Sequence, residues 1–112
     1  MLAISIKVLS NRLPGAALKL RQQSGQVTRD SAFRLRDRAK QEAPVDTGLL
    51  RSEIEAIKAG AFDWDVVSPT FYAGFVHNGT SRQSPNPYLF RASIAERPAF
   101  LDAFDAMLDR LL

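Results

Sequence analysis

An α+β fold is predicted: a long N-terminal helix, an antiparallel sheet of about four strands, a short helix and a C-terminal helix. Three features of the 112-residue sequence carry this reading. Apolar and small residues recur at steps of three and four across residues 13–42. Two segments between residues 49 and 68 alternate apolar and polar side chains, the period of a strand. A second helical stripe runs from Ala99 to Leu112.

In order along the chain, Ile4, Ile6 and Val8 alternate with Ser5 and Lys7, which predicts an N-terminal strand. This start is apolar, but it lacks the basic region and small-residue cleavage site of a signal peptide. Ser10 and Asn11 suit a helix cap, and Pro14 suits a first turn. Leu13, Ala17, Leu20, Ser24, Val27, Ser31 and Leu35 then mark one face of a helix over 13–42. Gly25 costs that helix about 1 kcal/mol relative to Ala and marks the place where it can kink or break. Ala43-Pro44 ends it, because proline disfavours helical geometry in the residue before it.

Val45 to Gly48 reads as a turn. Leu50, Ser52, Ile54 and Ala56 alternate with Arg51, Glu53 and Glu55, which predicts a strand; Lys58 to Ala61 connects it to a second strand over Phe62–Ser68. Phe71 to His77 is apolar and reads as a short helix with Gly79 near its C-terminus. Thr80 to Pro87, rich in Ser, Asn, Gln and Pro, predicts a mobile loop. Tyr88 to Ala92 either adds a strand or begins a helix. In the closing helix Phe100, Phe104, Met107, Leu108 and Leu111 face inward, and Asp102, Asp105 and Asp109 face out. A single domain over residues 1–112 is expected.

Composition narrows the function. The chain has no Cys and one His, which excludes disulfides, thiolate metal sites and multi-histidine sites. No cofactor or metal is expected. No apolar run is long enough to span a bilayer, and a cytoplasmic origin fits. Net charge is +3 but uneven: residues 1–43 hold nine Lys/Arg against three Asp/Glu, and residues 44–112 hold six against nine. A molecule so divided can stack head to tail with copies of itself or bind an acidic partner through one end.

Three constellations invite a chemical reading, and each has a plainer one. Asp46-Thr47-Gly48 is the tripeptide of aspartic proteases, in which two such carboxylates share a proton. Here Gln41-Glu42-Ala43-Pro44 replaces the apolar strand that precedes it in those enzymes, so a polar turn is the better reading. His77 has no Ser, Cys or carboxylate at a triad spacing and reads as a surface or interface residue. Arg29, Arg34, Arg36, Arg38 and Lys40 can touch phosphate, but Asp30, Asp37 and Glu42 interrupt them. A solvated or acid-facing helix surface is favoured over a nucleic-acid-binding one.

Three segments in order then point to a family: Ala43-Pro44-Val45-Asp46-Thr47-Gly48-Leu49-Leu50-Arg51-Ser52-Glu53-Ile54, Tyr72-Ala73-Gly74-Phe75-Val76-His77-Asn78-Gly79-Thr80, and Pro85-Asn86-Pro87-Tyr88-Leu89-Phe90-Arg91-Ala92. Together they resemble the tail-completion and neck proteins of long-tailed bacteriophages, the type that joins head to tail. That family pairs an alanine-proline turn ending in Thr-Gly with a Leu-Arg-Ser segment. A Tyr-Ala segment leading to Gly-Thr follows, and then Pro-x-Pro with an aromatic residue. It commonly carries Glu where His77 stands, and Phe where Tyr88 stands.

The resemblance implies a non-enzymatic structural subunit of the virion neck and tail, assembled in the host cytoplasm. Its expected form is a homo-oligomeric ring, a hexamer, that caps the tail tube. Its expected partners are the tail tube protein and the neck (stopper, head-completion) protein, with DNA passing through the channel unread and no membrane involved. A tail-assembly factor absent from the finished particle is the alternative, followed by a basic nucleic-acid-binding module. The motif and interface candidates are Pro44, Asp46, Thr47, Gly48, Arg51, Tyr72, Val76, His77, Gly79, Thr80, Pro87 and Tyr88. Arg51 is expected to project from a strand toward an acidic neighbour. Tyr72 and Val76, four apart, are expected to share one helix face against the sheet.

Overall fold

The computed structural model describes residues 2–6, 18–44, 48–70 and 72–111. In chain order they form β1 (Leu2–Ile6), α1 (Leu18–Glu42), α2 (Leu49–Glu53), β2 (Glu55–Lys58), β3 (Trp64–Ser68), α3 (Ala73–Asn78) and α4 (Tyr88–Leu111). The fold is α+β, as predicted. Its sheet has three strands in the order β1-β3-β2, both neighbours antiparallel to β3.

Register assigns each face of the sheet. Ile4, Val66 and Ala56 form one row and turn toward the core, where Leu2, Ile6 and Trp64 also pack. Ser5, Asp65 and Ile57 form the next row, on the opposite face, with Ser5 and Ile57 exposed. The period-2 pattern at the N-terminus is therefore a real strand, and it pairs within its own chain. Val8 lies outside the described residues. The expected fourth strand is absent among the described residues because Tyr88 to Ala92 opens α4.

Two long antiparallel helices cover the inner face. The buried side of α1 is built from Ser24, Thr28, Ser31, Ala32, Leu35 and Ala39. The sequence pattern identified Ser24, Ser31 and Leu35; the side chains of Leu13, Ala17 and Leu20 lie outside the described residues. Small side chains let the α4 axis approach closely. The Thr28 hydroxyl spends its hydrogen on its own helix, donating to the Ser24 carbonyl at 2.8 Å. The helix passes through Gly25 without a break. A Cβ there would meet the Phe62 ring at 3.2 Å and the Ala61 carbonyl at 3.4 Å, so this glycine seats the β2–β3 connection against α1.

Contacts along the pair set the register of α4 on α1: Ser24 meets Met107 at one end, Ser31 meets Glu96 in the middle, and Glu42 meets Arg91 at the other end. Glu96 is only 3% exposed. Its carboxylate accepts from the Ser31 hydroxyl at 3.1 Å, from Arg34 Nε at 3.0 and 3.1 Å, and from Arg38 Nε at 3.4 Å. This arrangement also changes the meaning of the uneven charge. Basic α1, with seven Lys/Arg against three Asp/Glu, lies alongside α4, which holds four Asp/Glu against three Arg, so charges separated along the chain become lateral neighbours.

The strand expected over Leu50–Ala56 is corrected. Residues Leu49–Glu53 form the short helix α2, and only Glu55–Lys58 is strand. The cause is local. Gly48 takes a left-handed backbone with φ of 73°, and its carbonyl accepts from the Ser52 N–H at 3.0 Å, closing a helical turn. Leu50 and Ile54 are both buried, which alternation and an i,i+4 helical step explain equally; exposed Ser52 between them breaks the alternation. The C-terminal helix is likewise longer than its predicted Ala99 start, because α4 carries Pro98 inside it.

The Glu96 cluster generates a stability prediction. Glu96→Ala strands Ser31 and two half-exposed arginines, and should cost about 2–3 kcal/mol. A urea unfolding series measures it; an unchanged midpoint would show that the cluster does not hold the two helices together.

Candidate functional site

The three motif segments, far apart in sequence, meet at one end of the helix pair, where α1 finishes and α4 begins. Pro44 follows the last turn of α1, in which the Ala43 N–H donates to the Ala39 carbonyl at 2.9 Å. Arg51 does not project from a strand toward an acid. It lies on α2, and its Nη2 donates to the Ala43 carbonyl at 3.1 Å, tying the motif turn to the end of α1. Asp46 and Thr47, and with them the protease tripeptide, lie outside the described residues. Glu53 accepts from the Thr70 hydroxyl at 2.7 Å, which links α2 to the segment leading into α3.

In the second segment Tyr72 is the residue that caps the start of α3, and Val76 lies within the helix. Tyr72 and Val76 are half-buried against the core. Gly79 ends α3 with φ of 80°, and a Cβ there would lie 2.8 Å from the Pro85 nitrogen and 3.0 Å from the Gln83 carbonyl. Both the backbone and the close approach therefore require glycine. The loop behind it is held by backbone bonds: Thr80 and Gln83 pair in both directions, and the Asn86 N–H donates to the Val76 carbonyl at 3.0 Å. The Thr80 hydroxyl accepts from the Arg82 N–H at 3.2 Å.

His77 joins this loop to the start of α4. Its Nε2 accepts from the Phe90 N–H at 3.3 Å, and its Nδ1 lies 3.1 Å from the Asn78 side-chain oxygen. A ring accepting at Nε2 carries its proton at Nδ1 and donates it to Asn78. His77 thus satisfies one of the amides that every helix start leaves without a partner. Its ring also meets Tyr88 edge-on at 5.4 Å. Pro87 accepts from the Arg91 N–H at 2.9 Å, and Arg91 reaches back to Glu42 at 2.8 Å and to Asn86 at 2.6 Å.

Tyr88 is fully buried, and its hydroxyl sits 2.8 Å from that of Ser68 at the end of β3. Burial pushes the phenol pKa above its ordinary value; the Ser68 hydrogen bond opposes the rise, and neighbouring Tyr72 adds to it. The site is a bonded junction of α1, α2, α3, β3 and α4. Among the described residues, no group of three or more His, Asp or Glu is placed to hold a metal ion.

The basic stretch of α1 is largely committed to its own chain. Arg34 and Arg38 serve Glu96 and Arg36 pairs with Asp37 at 3.0 Å, while Arg29, 3.5 Å from adjacent Asp30, keeps about half of its side chain in solvent. Arg36 also lies over the Phe33 ring at 5.0 Å. Sequence reasoning missed Glu96, whose role depends on residues 58 to 65 positions away. It also missed an outward stripe on α4: Phe90 is 54%, Ile94 56% and Leu101 50% exposed. Steps of four and seven could have revealed that stripe, had the helix been extended back to Tyr88.

A protein-family model described as "Bacteriophage HK97-gp10, putative tail-component" matches residues 9–79 of the chain. The match spans the first two motif segments, through Gly79, and the third lies beyond it. No curated protein and no solved structure matches.

The Tyr88–Ser68 pair generates a pH prediction. The folded state favours the neutral phenol, so this stabilisation is complete below the ordinary tyrosine pKa of about 10 and is lost as pH rises through the higher folded value. Tyr88→Phe should cost about 1 kcal/mol at neutral pH, because the Ser68 hydroxyl loses its partner. The variant should then lose less stability than the parent on going to alkaline pH. Thermal melts across the alkaline range check both; parallel curves would contradict a phenol held neutral by burial, and an unchanged neutral-pH melt would contradict the Ser68 pairing.

Proposed function

The chain belongs to the HK97-gp10-like family of bacteriophage tail components, and on that premise we propose that it is the tail-completion subunit. Its role is structural and its place is the virion tail. In this reading several copies, a hexamer in the simplest form, make a ring that caps the tail tube. The ring presents its other face to the neck protein, and DNA passes through the channel without being read. The protein acts by assembling and turns over no substrate.

One observation carries this reading beyond the family. Large apolar side chains remain on the outside of the chain, with Phe75 63% exposed and Phe90, Ile94 and Leu101 each about half exposed. Phe90, Ile94 and Leu101 stand at steps of four and seven on one face of α4, and an exposed apolar stripe of this kind marks a surface that is covered in use. The committed arginines of α1 favour protein assembly over nucleic-acid binding. The ordered motif segments, in turn, form the end of the molecule that supports the start of α4.

Removing the gene from its phage and imaging the particles tests the proposal. Tails that are not joined to heads, or have lost length control, are expected. In the parent particle, labelled protein should sit at the head-proximal end of the tail. A protein missing from purified particles would instead identify an assembly factor. Normal, infectious particles without it would end the proposal.

A further inference from the structure

We infer that the outer edge of β1 and the outward stripe of α4 together receive a second copy of this chain, which docks through its β2 and α1 side. The inference rests on the ring reading above and names the surfaces that would build it.

The sheet edges come first. β1 reads Leu2-Ala3-Ile4-Ser5-Ile6, without a charge or a proline, and no described strand pairs with its outer side. Edge strands left free in a monomer usually carry charges, prolines or bulges that prevent pairing. β2, at the opposite edge, is four residues long and exposes Glu55 and Lys58. Both edges are antiparallel to β3, so they run parallel to each other. Setting a copy beside β1 with its β2 inward continues the sheet in one direction. Such a contact joins two different faces, and it closes into a ring when the rotation between copies is a simple fraction of a turn.

The helix layer continues in the same sense. A groove of about 490 Å³ runs between β1 and α4, with Ile4 and Ile6 on one wall and Phe90, Ile94 and Phe100 on the other. Beyond it, α4 turns Ile94, Arg97 and Leu101 to solvent, and its last turns expose three acids, Asp102, Asp105 and Asp109, against one base, Arg110. The outward side of α1 exposes Lys19, Gln22, Gln26 and Arg29, spaced at three and four residues along one face. α1 and α4 are antiparallel within a chain. A neighbour related by rotation about an axis along the helices therefore brings the Lys19–Arg29 half of its α1 beside the Asp102–Asp109 half of α4. The charges are opposite, and strand polarity and charge select the same orientation.

The cysteine-free chain allows a direct test. Ser5 and Ile57 both lie opposite Asp65 in the sheet register, and both are exposed. Ser5→Cys and Ile57→Cys proteins, purified separately, mixed at high concentration and oxidised, should form a disulfide between position 5 of one chain and position 57 of the other. Both changes in one chain should give a ladder of covalent multimers. Ile94→Asp should abolish assembly without moving the thermal melt. Asp105→Lys should weaken assembly, and Arg29→Glu in the same chain should restore it.

Disulfides only between two position-5 cysteines would replace this contact with a two-fold one. Assembly by light scattering that is insensitive to Ile94→Asp and gives no 5-to-57 disulfide would overturn these surfaces while leaving the ring intact. A chain that stays monomeric in solution and on purified tail tubes would overturn the ring and the surfaces together.

Discussion

Glu96 places a carboxylate between the two long helices, almost wholly removed from water, and three side chains of α1 converge on it. Taking such a group out of water costs several kcal/mol unless hydrogen bonds replace the lost hydration. Ser31, Arg34 and Arg38 supply those bonds at one level of the helix pair. A slide of either helix by one turn would carry the carboxylate about 5 Å from its donors. The cluster therefore fixes register more than it adds stability, a role apolar packing performs poorly because it is non-directional.

That constraint explains the composition of α1. Its buried face is made of Ser, Thr and Ala as much as of Leu, since a close approach of α4 leaves little room for larger groups. The small face in turn limits how much apolar area the pair can bury. The sheet beneath adds Val66 and Trp64, with Trp64 edge-on to Phe33 at 5.4 Å, and Ile54 joins them from the end of α2. Large apolar side chains remain at the surface, and those on α4 stand beside β1, the edge strand of the described sheet. The internal economy of the fold and its assembly surface are thus two consequences of the same helix pairing.

The ordered motif segments acquire a physical meaning in this setting. Gly48 and Gly79 occupy positive-φ positions that end one segment and release the chain into the next. Arg51, His77 and Arg91 each bind a backbone group at a helix end: the first and last reach carbonyls at the end of α1, and His77 reaches an amide at the start of α4. These residues hold the corner from which α4 sets out, and so fix the direction in which it presents Phe90, Ile94 and Leu101. What was legible as a family signature is, in the structure, the bracket that aims the exposed helix.

The sequence by itself determined the local elements wherever one period dominated: the N-terminal strand, α1, α3, and the helix at the C-terminus. Glycine and proline marked most of the boundaries, because backbone restriction acts within a few residues. It also determined the family, through short ordered motifs whose turns and caps are local. Residues 49–56 misled because Leu50 and Ile54 fit a strand and a helix alike, and only the Gly48 turn and the packing of both residues in the core selected the helix. Tyr88 to Ala92 stayed open between strand and helix until the partners of Tyr88 and His77 were in place. The Glu96 cluster, the pairing of basic α1 with α4 and the place of β1 at the edge of the described sheet were decided by tertiary structure alone. Each is a relation between residues dozens of positions apart, and no local period encodes which distant side chain will arrive.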